Sequence, residues 1–417
     1  MSSQRMIRRI SWLLVTIVVS VLAFRLFDYV LTWNVGWHSS SSTGEPPVES
    51  RAAPSWEAIE GSAMDLLLDA KRDLRAPAVS AALSLDGRTV WAGAVGFADL
   101  ESRRPATLET RFRLGSTSKS ITSVALGTVL GGGELDLDAP VGTYLPEVAE
   151  PLASVTTRQA MSHTAGIRNY GLCWCFPIWE QFNRRDFGRS VRPSLAVFEG
   201  DALLFQPGTG FSYTSYGTTT VGAVIESVSG KPFLEYLEEA VLRPLSMVHS
   251  GGDLPGEEVS GRASFYDVEK GRWRLAYPVN NSIKWPSGGL ISTPSDMLAL
   301  GREMLAPRLF DDGVRDLLIT PQKLADGSDN PQGYALGWRV SNDAKLFDGS
   351  LQTQRITHHG VAVGSLSYFA IYPDEGLVVS VMANRSAQRV NQLARHAKGL
   401  VELFLGESRR QIATDES

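Results

Sequence analysis

The sequence predicts an α/β (α+β) fold: one antiparallel sheet, flanked by helices from both chain ends, with a helical region inserted between its strands. Three observations carry this. Ala78 to Leu85 and Arg88 to Ala98 flank Asp86-Gly87, a strong hairpin signal near the start of the chain. Gly364 to Tyr372 and Leu377 to Ala383, about Pro373-Asp-Glu-Gly376, repeat the pattern near its end. Helical periodicity precedes the first hairpin, follows the second and dominates the long stretch between them, the arrangement of a sheet closed by terminal helices.

With 417 residues, 43% hydrophobic and 20% charged, the chain can bury a full core in one large or two medium domains. A net charge of −5, without a basic run outside the N-terminus, argues against nucleic acid as the main partner. The two cysteines are Cys173 and Cys175. One intervening residue strains a mutual disulfide, and no further cysteine or histidine pair stands near to build a zinc site. Neither a disulfide nor a metal is expected.

Taken in order, residues 1–37 read as a membrane anchor or signal. Arg5, Arg8 and Arg9 precede the apolar run from Ile10 to Phe24, and Arg25 and Asp28 stand three apart, where they can pair or snorkel. Counted through to Trp33 the segment is long enough to cross a bilayer. Its basic end belongs in the cytoplasm and Trp33 and Trp37 at the far interface, which predicts an inner-membrane protein with its domain on the periplasmic, extracytoplasmic side. The rival is a secreted protein released after Val21-Leu-Ala23, a loose cleavage site. Residues 38–54, rich in Ser, Pro and Gly, read as a flexible linker.

A single domain is then expected over residues 55–406. Trp56, Ile59, Ala63, Leu67 and Ala70 recur at helical spacing and mark a covering helix ahead of the first hairpin. After the Ser116 helix, Gly131-Gly-Gly133 is a stop and Glu134 to Val141 a loop. Thr156 to Gly166 reads as a short helix closed by glycine, with His163 at its end. That position fits a structural hydrogen-bonding histidine better than a catalytic one. Residues 167–200 form an aromatic-rich insertion, with Cys173, Trp174, Cys175, Phe176, Trp179 and Phe182, which reads as an active-site lid or a packed surface loop. A helix from Thr219 to Ser229 follows, then one beginning near Pro294 behind the N-cap Thr293. Gly333 to Trp338 and Thr357 to Gly360 read as strands, Ala387 to Leu405 as an amphipathic helix, and residues 407–417 as a polar tail.

Chemistry concentrates in Ser116-Thr-Ser-Lys119. A strand end, a turn at Gly115 and a helix starting at Ser116 put the hydroxyl and the amine on one helix face, so that a nucleophile can meet its base. The helix start also offers free N–H groups to the anion formed when a serine attacks a carbonyl. An N-cap serine with an ordinary lysine has the same spelling, so the later residues matter. Tyr213 and Ser215, two apart after Pro207-Gly, can share a cleft, and a phenol beside a lysine ionises more easily and can serve as general base.

Together these residues resemble the serine β-lactamase and penicillin-binding protein superfamily, in its class C-like branch, nearest to the mitochondrial β-lactamase-like serine proteases and their bacterial relatives. Ser116-Thr-Ser-Lys119 matches the first motif, Tyr213-Thr-Ser215 the tyrosine-x-asparagine or -serine motif, and His358-His-Gly360 the lysine- or histidine-x-glycine strand. Leu135-Asp-Leu-Asp138, Ser162 to Arg168, Pro207-Gly208 and Ser287 to Thr293 resemble that branch as well, and the likeness spans about residues 57–406. It implies an acyl-enzyme on Ser116, with Lys119 and Tyr213 moving protons. The backbone N–H groups of Ser116 and Val361 would make the oxyanion hole, and Ser215, His358 and Gly360 would hold substrate. Ser215 stands where many members have asparagine, and His358 where β-lactamases usually have lysine. Both departures favour an exported hydrolase of a peptide or ester over a β-lactamase or D,D-carboxypeptidase. An inactive binding or scaffolding protein of the same fold is the alternative of another class. The expected partners are a small-molecule or peptide substrate and the membrane. A homo-oligomer is compatible, and no cofactor or metal is expected.

Overall fold

The computed structural model describes residues 3–34, 36–39, 45–172, 179–254, 256, 259–386 and 390–415. Its main sheet is antiparallel throughout. The path runs Arg339–Leu346, Leu351–Ala362, Ser365–Tyr372, Leu377–Ala383, Ala78–Leu85, Arg88–Asp99, Val48–Ala52. The two hairpins legible at opposite ends of the chain meet in its centre, where Ser380 pairs with Ala82 and Leu377 with Leu85.

Helices cover both faces. On one face lie Glu57–Leu74, whose Ile59, Ala63, Leu67, Ala70 and Leu74 form the buried stripe, and Val390–Asp415. Trp56 and Trp91 meet Phe404 there, at ring separations of 5.4 and 6.0 Å. Each large apolar side chain buried in such a layer contributes about 1.5–3 kcal/mol. The helical region packs on the other face around Ser118–Gly131. A strand covered on both sides has no polar face to show, and Ala78–Leu85 is accordingly buried at every position.

Several boundaries differ from expectation. Val48–Ala52, read as part of the linker, is an edge strand paired with Trp91 to Val95. Glu49, Ser50 and Arg51 give it the polar character of an exposed edge, which in sequence is indistinguishable from a tether. His38–Ser39 pairs with Arg272–Trp273, so the linker is tied down at both ends. Gly333 to Trp338 is a turn rather than a strand. Asn330 holds it by donating to the Tyr334 carbonyl (2.9 Å) and accepting from the Tyr334 N–H (2.8 Å), and the strand begins only at Arg339. The last helix continues to Asp415 through residues expected as a tail. Arg409 lies 5.3 Å from the Phe347 ring and Gln411 donates to the Ser55 carbonyl, so polar side chains dock that turn. Cys173 and Cys175 lie outside the described residues. The N-terminal helix, Ser3–Asn34, carries the apolar stretch Ile7–Phe24 with none of it buried.

Candidate active site

Ser116 sits in a single 3-10 turn, Gly115–Thr117, and the α-helix proper begins at Ser118, two residues later than expected. Hydrogen bonds lock this segment into its surroundings. Thr117 Oγ1 meets Ser367 Oγ at 2.8 Å, Thr122 donates to the Pro286 carbonyl (2.7 Å), and Trp338 Nε1 donates to Ser123 Oγ (2.7 Å).

Two glycines bring the turn against the sheet. Gly115 has φ +52°, and a Cβ on it would come within 2.7 Å of the Val361 backbone. A Cβ on Gly360 would lie 1.8 Å from the Leu114 carbonyl oxygen. Backbone thus meets backbone where any side chain would force the two apart. The approach falls on an open stretch of strand. Arg339 pairs with Thr357, so His358 to Ala362 run on past the first residue of their outer neighbour. Val361 and Ser116 line the same cleft.

Lys119 is fully buried, and its Nζ donates to the Ser287 carbonyl at 2.8 Å and lies 4.9 Å from the Tyr213 ring. Burial holds its ammonium below the usual lysine range, against the pull of Tyr213, and Arg339 adds to the lowering. For Tyr213, burial pushes the phenol up. The charge of Lys119, hydrogen bonds with Ser116 and Lys119, and the charge of Arg339 outweigh it, so the phenol ends below its ordinary value. Tyr213 is therefore in contact with both Ser116 and Lys119. His163 packs its ring 4.4 Å from that of Tyr213, and its Nδ1 accepts from the Thr214 N–H at 3.4 Å. Burial, then Lys119 and Arg339, hold its imidazole well below 6.5, so it lies neutral against the tyrosine.

His358 departs from the role expected of it. It was expected to hold substrate, but its side chain does not reach the surface of the cleft. The side chain is fully buried, and burial first, then Arg339, Lys119 and His359, keep the imidazole well below its ordinary range. Nδ1 lies 2.9 Å from the His359 carbonyl, which only accepts, so Nδ1 carries the proton and Nε2 accepts from the Tyr334 hydroxyl at 3.0 Å. Gly360, expected among the substrate contacts, instead permits the close approach just described.

The helix with Ser215 runs Ser215–Ser229, four residues longer at its start than predicted. Thr214 caps it by accepting from the Tyr216 N–H at 3.1 Å. Ser215 lines a cleft of about 350 Å³ together with Ser116, Tyr170, Phe182, Lys284 and Val361. The 167–200 insertion thus supplies cleft wall. It is pinned by Glu180, which accepts from Arg168 (2.7 Å), the Gly171 N–H (2.7 Å) and the Tyr216 hydroxyl (2.8 Å). Residues 173–178 of that insertion are outside the described ones.

The Beta-lactamase family model matches residues 58–402. This chain belongs to the β-lactamase family. Among curated relatives of this family member, the human mitochondrial serine beta-lactamase-like protein LACTB is 30% identical over 459 residues, covering 84% of this chain and 83% of the relative. The D-aminopeptidase of Brucella anthropi is 26% identical over 311 residues, covering 73% and 58%. Among solved structures, the octameric penicillin-binding protein homologue of Pyrococcus abyssi superposes with a TM-score of 0.68 at 24% identity, covering 83% of this chain and 77% of that one. That likeness establishes the fold.

Reading the sequence of this β-lactamase family member missed three cleft or near-cleft residues. Arg339 sets its guanidinium 5.2 Å from both the Tyr213 and Tyr334 rings and 3.4 Å from His358 Nε2. Tyr170 and Lys284 reach the cleft from the insertion and from the turn before Ser287. The aromatic content of the insertion was a signal for Tyr170. Nothing local marks Arg339 or Lys284.

Proposed function

We propose that this chain is a membrane-anchored serine hydrolase that forms an acyl-enzyme on Ser116 and hydrolyses a peptide or ester. The observation that carries this reading is the contact of Ser116 with Tyr213 and of Tyr213 with Lys119, behind a backbone closure made by Gly115 and Gly360. Tyr213, held towards its anion by Lys119, takes the Ser116 proton as the oxygen attacks the carbonyl carbon. The N–H groups of Ser116 and Val361 hold the resulting oxyanion. Collapse breaks the bond to the leaving group, which leaves with the proton from Tyr213. Water then repeats the sequence on the acyl-enzyme and returns the serine hydroxyl. Similarity to a D-aminopeptidase supports the peptide branch. The exposed apolar stretch Ile7–Phe24, about 27 Å long as a helix, supports the anchor, with the domain on the extracytoplasmic side.

One experiment tests both parts. Cells expressing the full chain are treated with a fluorophosphonate probe and fractionated. The expected labelled species is in the membrane pellet, released by detergent and not by carbonate, and is lost in Ser116→Ala. Equal labelling of wild type and Ser116→Ala overturns the enzyme reading. A labelled soluble species beginning after Ala23 overturns the anchor.

A further inference from the structure

We propose that Lys284 reads a carboxylate on the acyl portion of the substrate, making this chain selective for anionic acyl compounds. The inference rests on the hydrolase reading above and adds a substrate class to it.

Lys284 is 8% exposed and lines the cleft that holds Ser116. Its Nζ donates to the Gln181 carbonyl at 3.3 Å and lies 5.4 Å from the Tyr170 ring, and Gln181 and Tyr170 line the same cleft. The ammonium therefore stands in the cleft wall. Its position is built. Asn280 caps the turn Asn281–Lys284 by accepting from the Ser282 N–H (2.9 Å), and the next residue, Trp285, donates to the Gly188 carbonyl (2.9 Å).

The acids nearby are already engaged. Asp253, whose charge reaches Lys284, accepts from Arg113 (2.6 Å), Arg262 (2.7 Å) and Asn281 (2.7 Å). Asp267, also on the cleft, pairs with Arg274 at 3.2 Å and accepts from Ser386. Glu180 belongs to Arg168. Among the described residues Lys284 has no carboxylate partner. A buried ammonium with one neutral acceptor and an aromatic face is costly to fold around, and a substrate anion would complete it.

The cleft also says which part of the substrate carries the anion. It contains Ser116 and Ser215 but is not lined by Tyr213, Arg339 or His358. A leaving group protonated by Tyr213 departs on the Tyr213 side, so the acyl chain occupies the cleft and ends at Lys284.

The test compares two acyl esters of equal chain length, 4-nitrophenyl hexanoate and the 4-nitrophenyl monoester of adipic acid, in wild type, Lys284→Met and Lys284→Arg. Wild type is expected to favour the adipate by about 10- to 100-fold in kcat/KM, the scale of one charge-assisted hydrogen bond. Lys284→Met should lose that preference while keeping hexanoate turnover, and Lys284→Arg should restore most of it. The preference should also depend on pH. Burial, then Arg113 and Lys119, draw the amine down to about 8 against the pull of Asp253, so the cation is lost as pH rises through that value. The adipate-to-hexanoate ratio should fall from about pH 7 to about pH 9 in wild type and hold in Lys284→Arg; taking the ratio cancels titration of Lys119 and Tyr213. Equal turnover of the two esters by wild type overturns the proposal, as does a Lys284→Met variant that keeps the preference or loses both activities together. In the first two cases hexanoate hydrolysis dependent on Ser116 leaves the hydrolase reading standing.

Discussion

Tyr213 is a phenol enclosed by two cations, Lys119 at 4.9 Å and Arg339 at 5.2 Å from its ring, with a neutral histidine packed against it. That enclosure holds the phenol below its ordinary value, whereas burial alone would push it up, and this is what the proposed proton acceptor and donor requires. Tyr213→Phe removes the oxygen and keeps the ring that packs on His163. A fall in kcat of about 10²- to 10⁴-fold is expected for a positioned acid–base group, with an unchanged thermal midpoint. In wild type, kcat/KM for a neutral ester should rise with pH as the lowered phenol deprotonates, and Tyr213→Phe should lose that limb. Steady-state rates across pH check both, and a variant within twofold of wild type would remove Tyr213 from the reaction. The same scale shows what sequence conceals. The grouping of Ser116, Lys119 and Tyr213 was legible because motif spacing places them, whereas the full burial of His358 was not, because packing from distant segments decides it. Lys284 and Arg339 were invisible because their neighbours come from distant segments: Tyr170 and Gln181 for one, Tyr213 and Tyr334 for the other.

Among the elements, the strand Leu351–Ala362 and the turn Gly115–Thr117 matter most, since in the proposed mechanism their close backbone approach sets the position of the oxyanion donors. Gly360→Ala puts a methyl group 1.8 Å from the Leu114 oxygen, and neither partner is a flexible side-chain tip. The strand must move away from Ser116, and Val361 moves with it. Loss of one oxyanion donor corresponds to about 10²- to 10³-fold in kcat, with a smaller effect on KM. A Gly360→Ala enzyme with wild-type kcat would show that this closure does not serve catalysis. The two hairpins and the terminal helices were legible from turn residues and periodicity. Val48–Ala52 was not, because an edge strand facing solvent needs neither alternation nor apolar residues. Nor was the Gly333 to Trp338 turn, whose shape depends on hydrogen bonds from Asn330.

At the scale of the molecule, the first and last elements of the sheet domain meet. Leu377–Ala383 pairs with Ala78–Leu85, and Val390–Asp415 packs beside Glu57–Leu74 on the same face of the sheet. The inserted helical region carries Tyr213, Ser215 and Lys284 to the other face, against the open end of Leu351–Ala362, so the cleft exists only when both halves are assembled. Sequence patterns could announce the layers, but not which loops converge at that junction. What the whole arrangement is proposed to accomplish is transfer of an acyl group to Ser116. The most direct measurement is acid quenching during turnover of 4-nitrophenyl adipate monoester, followed by intact-mass analysis and peptide mapping. The expected result is a protein heavier by one adipoyl group, located on the peptide containing Ser116, more abundant early than late in the reaction and absent from Ser116→Ala. Turnover with no acylated protein at any time, or acylation at another residue that persists in Ser116→Ala, would contradict it.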